Sequence, residues 1–114
     1  MHSVLIPLLS PNQLTTEFIL EATKKADNVI LLEVIEQESG LTPSELTERM
    51  QAMETAVENA KFELQKRGVR TVFFEEWGTW EEKIKSTYKR EGLDEVVVPV
   101  KSKIVIKGVK IRRV

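Results

Sequence analysis

The sequence predicts an α/β domain, an open parallel sheet of about five strands with helices on both faces. Three observations predict it. Short apolar runs alternate with amphipathic stretches along the chain. Each amphipathic stretch opens on a capping-box pattern: Ser10 to Gln13, Thr42 to Glu45 and Thr79 to Glu82. The apolar runs are continuous rather than alternating, as in strands covered on both faces. Strand–helix–strand order of this kind calls for parallel pairing through right-handed crossovers.

Val4-Leu5-Ile6-Pro7-Leu8-Leu9 is the first apolar run. Ser10-Pro11-Asn12-Gln13 then reads as a helix start, with Pro suited to the first turn and Gln able to reach back to the cap. Leu14, Phe18, Ala22 and Ala26 recur every fourth residue, as one helix face does. Asp27-Asn28 ends that pattern, and Val29 to Ile35 is a second buried strand. Glu36 to Leu41 reads as a polar loop before Thr42-Pro43-Ser44-Glu45. Leu46, Met50, Met53, Val57, Ala60 and Leu64 form the next helical stripe, closed by Lys66-Arg67-Gly68. Val69 to Glu76 is the third strand. A helix with Trp80, Ile84 and Tyr88 on one face follows, and Val96 to Val100 is the fourth strand. After it, Ile104 and Ile106, then Val109 and Ile111, alternate with other residues, and Gly108 shifts the phase. Residues 101–114 are therefore expected to form one basic C-terminal strand or a hairpin, within a single domain spanning 1–114.

Composition excludes several function classes. The 114 residues contain no Cys, so disulfides, thiolate catalysis and zinc–cysteine sites are out. The single His, His2, makes a His-based triad or multi-His metal site implausible and reads as a solvated terminus. No run approaches the roughly 18 apolar residues of a membrane span, and the start lacks the basic region of a signal peptide. Membrane insertion is not expected, and the expected location is cytoplasmic. The net charge of −1 hides an asymmetry. All acidic residues precede residue 100, whereas the last fourteen residues carry Lys101, Lys103, Lys107, Lys110, Arg112 and Arg113. Such a tail could bind nucleic acid or an anionic surface, lie on the acidic body, or neutralise a second copy. Because it is also rich in Val and Ile, strand is the favoured reading.

Ligands of open α/β sheets sit at the carboxyl ends of the strands. That rim comprises Leu9-Ser10-Pro11, Ile35-Glu36-Gln37, Glu75 to Thr79 and Pro99 to Ser102. Pro11 removes one amide there, Ser10 is expected to consume another by capping, and Glu36, Glu75 and Glu76 repel phosphate. Glu75, Glu76, Glu81 and Glu82 could coordinate a hard cation. Strand alternation, however, sends Glu75 and Glu76 to opposite faces, and Glu81 and Glu82 already suit a helix start. Trp77 and Trp80 read as packing residues. Ser10, Thr15, Ser86 and Thr87 have no nearby His base, so no metal, cofactor or catalytic residue is assigned and no enzyme activity is expected.

Strand one reaching Pro7, the strand Leu31-Leu32-Glu33-Val34-Ile35, a long helix closing on Gly68-Val69, and Gly78 before Ile84 and Asp94-Glu95-Val96-Val97-Val98 together resemble the universal stress protein family over roughly residues 3–100. The resemblance implies strand order 3-2-1-4-5 and a homodimer joined through the last strand. It also exposes departures. Relatives that bind ATP carry Asp two residues after the strand-one Pro, where this chain has Leu9, and a Gly-x-x-Gly segment after strand four, where it has Pro99 to Lys103. The fourth helix is missing as well. The resulting expectation is a non-catalytic protein that does not bind ATP and acts by association with itself or an unknown protein partner. Ile104, Ile106, Val109 and Ile111 are the expected dimer-interface residues. A small-ligand or nucleotide sensor using a crevice near Pro7, Ser10, Val34 and Pro99 is the alternative. Nucleic-acid binding through the tail is a further one, not favoured.

Overall fold

The structure, a computed structural model, describes residues 1–36 and 40–114. Gln37, part of the expected rim and polar loop, lies outside the described residues. Five strands form one sheet: β1 (Ser3–Pro7), β2 (Asn28–Ile35), β3 (Arg70–Trp77), β4 (Glu95–Val98) and β5 (Ile111–Arg113). Every pairing is parallel, and the order is β3-β2-β1-β4-β5. The α/β class and the strand order implied by the resemblance are therefore both observed. Three α-helices connect the described strands: α1 (Thr16–Ala22), α2 (Pro43–Lys66) and α3 (Trp80–Arg90).

The continuous apolar runs divide by side-chain alternation into two cores. Val4, Ile6, Val29, Leu31 and Val97 meet Phe18, Ile19 and Ala22 of α1 and Met53, Val57, Ala60 and Leu64 of α2. On the other face, Leu5, Ile30, Leu32, Val34, Val96 and Val98 meet Ile84 of α3 together with Leu93 and Ile106. Helices thus cover both faces, as a parallel sheet requires. α3 covers its face with help from the C-terminal segment.

The capping boxes fare differently from one another. At α2 the box closes fully: Glu45 N–H donates to Thr42 Oγ1 (3.1 Å) and Thr42 N–H to Glu45 Oε1 (3.2 Å). At the first site it does not form. Pro11–Gln13 is a short 3-10 turn, Ser10 makes no side-chain cap bond, and α1 begins five residues later than expected, capped by Thr15, whose Oγ1 accepts Phe18 N–H (3.1 Å). The cause is Gln13, which is buried and turned toward β1. Its Oε1 accepts Leu9 N–H (2.8 Å) and its Nε2 donates to Pro7 O (2.9 Å), so it satisfies the strand end instead of the helix start. At α3 Thr79 makes no side-chain cap bond either, and the first amide of the helix, Trp80 N–H, is instead taken by Glu36 from the end of β2 (3.2 Å).

Of the two forms expected for the C-terminal segment, a single strand is observed, and it is short. Ile104–Ile106 is not a strand and no hairpin forms; only Ile111–Arg113 joins the sheet, parallel to β4. Gly108, at φ +82°, makes the turn that brings Val109 N–H to Ile106 O (3.2 Å). Residues 99–110 act as the crossover between β4 and β5 in place of a helix. Ile106 is buried, and Ile104, Val109 and Ile111 pack on the β4–α3 core. The four side chains expected at a dimer interface therefore face their own sheet. An apolar crossover segment has to cover the face that a missing helix would leave bare.

Candidate functional site

The topology places all four crevice candidates on the carboxyl-end rim, since β1 lies between β2 and β4. Pro7 is buried at the end of β1, and its carbonyl is taken by Gln13. Ser10 is half-buried and accepts Gln13 N–H through its own carbonyl (3.2 Å). Val34 is buried in the α3-side core. Pro99 O accepts Ser102 N–H (2.9 Å) in the turn that follows β4.

A phosphate cradle needs backbone amides free to point at one anion. Among the described residues of this rim several are engaged. Leu9 N–H is held by Gln13. Val100 N–H donates to Val114 O (2.8 Å), Ser102 N–H to Pro99 O, and Ile104 N–H to Ser102 Oγ (3.3 Å). The Arg113 guanidinium locks the same segment, donating through Nε to Ser102 O (3.0 Å) and through Nη2 to Ile104 O. Trp80 N–H, at the start of α3, is held by a carboxylate. These bonds leave fewer rim amides to meet an anion.

The rim does hold a cavity, of about 140 Å³, lined by Glu33, Val34, Ile35, Glu36, Leu41, Leu46, Arg49 and Trp80. Glu33 is its unusual member. It lies in the middle of an apolar strand, is 4% exposed, and its Oε1 has no hydrogen-bond partner. Parallel register sets Glu75 of β3 directly opposite it. Burial, then the hydrogen bond and charge of Glu75, push the Glu33 carboxyl up to about 7, against the opposing pull of Arg49. Arg49 projects from α2 and donates through Nη2 to Leu9 O (2.9 Å). Trp80 is half-buried beside the α3-side core, whereas Trp77 at the end of edge strand β3 is 53% exposed rather than packed. Alternation separates the acidic pair of β3 as expected. Glu75 faces Glu33, and Glu76 turns to the other face, where Arg90 lies 4.0 Å away.

At the opposite end of the sheet a second polar cluster joins the two termini. Glu95 Oε1, on a residue 4% exposed, accepts from Arg112 Nε (3.0 Å) and lies 2.9 Å from Arg112 Nη2. Arg112 also donates to the last carbonyls of α1, Ala22 O (3.0 Å) and Glu21 O (3.4 Å). His2 Nε2 lies 3.2 Å from the same Glu95 oxygen, so His2 is tied down and is not merely a solvated terminus. Burial pushes Glu95 up, but the bonds and charges of Arg112 and His2 outweigh it and hold the carboxyl below its ordinary range. Reading the sequence missed Glu33, Arg49, Glu95 and Arg112. A charge inside an apolar strand was the available signal for Glu33, since isolated buried charges are rare.

An all-parallel sheet in this order, with its rim at the carboxyl ends, defines an open, doubly wound α/β domain. No protein-family model and no curated protein matches the chain. Solved structures do. A universal stress family protein from Burkholderia pseudomallei is 16% identical at a TM-score of 0.64, covering 84% of this chain and 79% of that one. The hypothetical protein MJ0577 is 26% identical at a TM-score of 0.61, over 95% of this chain and 81% of that one. A universal stress family protein from Arabidopsis thaliana, solved with AMP bound, is 15% identical at a TM-score of 0.64, over 100% of this chain and 91% of that one. The chain has the universal stress protein fold.

Proposed function

We propose that this is a non-catalytic universal-stress-type protein that acts by association, first of all with a second copy of itself, without binding ATP. The observation that supports the reading is a contrast in backbone bonding. Leu9, Val100, Ser102 and Trp80 N–H on the rim are engaged, whereas β5 is an edge strand with one side open. Lys110 O and Val114 N–H bond toward β4. By alternation the amide and carbonyl groups of Ile111 and Arg113 point outward. An open edge invites pairing, and a two-fold axis would satisfy both copies at once. The interface of this proposal is backbone, not the four aliphatic side chains.

Native mass spectrometry of the full chain and of Ile111→Pro tests it. Proline removes an outward N–H without touching the β4 ladder. A dimer that becomes a folded monomer, as judged by an intact cooperative melt, is the expected result. A wild-type chain that is monomeric at tens of micromolar, or a variant that stays dimeric, refutes the edge model.

A second reading, a small-ligand or nucleotide sensor at the rim, draws support from the AMP bound to the Arabidopsis protein. Calorimetric titration with ATP, AMP and cyclic nucleotides separates the two readings, and no heat is expected. The nucleic-acid reading loses support, because Arg112 and Arg113 are committed to Glu95 and to backbone carbonyls. No helix among the described residues is long and apolar enough to cross a membrane.

A further inference from the structure

We propose that the cavity between β2, α2 and the start of α3 binds a small apolar zwitterion, a free amino acid of the leucine type, with its ammonium on Glu33 and its carboxylate on Arg49. Opposite charges line this one space without meeting. Glu33 is more than nine-tenths buried, lines the cavity and leaves Oε1 unpartnered. Such an orphan acceptor is costly unless something donates to it. Arg49 forms no ion pair within 4.0 Å among the described residues, and one of its five donors is spent on Leu9 O. A planar guanidinium with free donors is suited to a carboxylate. Between the two groups the wall is Ile35, Leu41, Leu46 and the Trp80 ring, which suits an aliphatic side chain. A volume of about 140 Å³ admits a molecule of that size and is small for a nucleotide. A purely cationic ligand would leave Arg49 uncompensated, and a purely anionic one would meet Glu33 and Glu36.

Proton linkage supplies an independent signature. The groups facing Glu33 are Glu75 from β3, Arg49 from α2 and Glu36 from the end of its own strand. Near pH 7 Glu33 is partly protonated, so seating an ammonium on it expels a proton.

The test is isothermal titration of the full chain with L-leucine, 3-methylbutylamine and 4-methylpentanoate, at pH 7 in two buffers of different ionisation enthalpy. Leucine is expected to bind with a buffer-dependent heat that reports proton release. Each singly charged analogue is expected to bind at least roughly tenfold more weakly. Glu33→Gln keeps the shape and is expected to weaken leucine binding by roughly tenfold or more and abolish the buffer dependence. Leu46→Trp fills the cavity without touching either charge and is expected to abolish binding, with melting curves confirming that both variants fold. No heat and no melting shift with leucine overturns the proposal. So does equal binding of the analogues, or leucine binding that survives Glu33→Gln unchanged. Oligomeric state does not enter these readouts, so the association reading stands or falls separately.

Discussion

Replacing Arg112 with Met should destabilise this domain far more than its position two residues from the C-terminus suggests. Arg112 gives Glu95 two short contacts, at 2.9 and 3.0 Å, on a carboxylate only 4% exposed. Removing one partner of a fully buried pair costs about 3–5 kcal/mol, but Arg112 is 37% exposed and solvent screens part of that. Loss of the cation at the end of α1 adds a few tenths, and His2, still 3.2 Å away, offsets part of the total. A net cost of about 2 kcal/mol follows. For a 114-residue chain the unfolding entropy is about 0.24 kcal/mol/K, so Tm should fall by about 8 °C. The pH dependence is a second check. Between the depressed native value of Glu95 and its ordinary value of 4.5, the unfolded chain takes a proton that the native one refuses. The pair's contribution is therefore complete above that ordinary value and is lost as pH falls through the native one. The deficit of Arg112→Met should be largest at neutral pH and shrink on acidification. Adding Glu95→Gln should recover at least half of it. Differential scanning calorimetry across pH measures all three quantities. A single variant melting within about 2 °C of wild type at pH 7 would refute the reasoning.

Three other outcomes are expected. Glu33 is raised, so the native chain keeps a proton that the unfolded chain gives up between pH 4.5 and about 7; stability should fall by about 3 kcal/mol across that window, and Glu33→Gln should flatten the profile in urea melts. Thr42→Ala opens the fully closed capping box of α2 and should cost about 1 kcal/mol by chemical denaturation. Gln13→Ala strands Leu9 N–H and Pro7 O and should cost about 2 kcal/mol, whereas Ser10→Ala, which removes no cap bond, should stay within about 0.5 kcal/mol.

Local pattern alone was enough to read the strands and helices. Runs such as Leu31-Leu32 and Val96-Val97-Val98 carry their own evidence of burial on both faces, and Thr42-Pro43-Ser44-Glu45 carries its own helix start. Ser10 to Gln13 spells the same signal, yet Gln13 bonds to β1, because a buried amide takes whichever unpaired backbone group lies nearest in space. The rim was likewise legible as a location from strand direction. Its chemistry was not, because Glu33 faces Glu75 and shares a cavity with Arg49, groups 42 and 16 positions away in sequence that only the β2–β3 register and the packing of α2 bring together.

By itself, then, the sequence determined the alternation of strand and helix, the parallel sense of the sheet and the absence of thiol chemistry, since each depends on composition or on neighbours a few residues apart. Only the tertiary structure decided which rim amides are spent, that Ile104, Ile106, Val109 and Ile111 turn inward, and that Arg112 binds Glu95. Those outcomes depend on competition among groups distant in the chain, and that competition is settled by which polar atoms and apolar faces packing leaves without a partner.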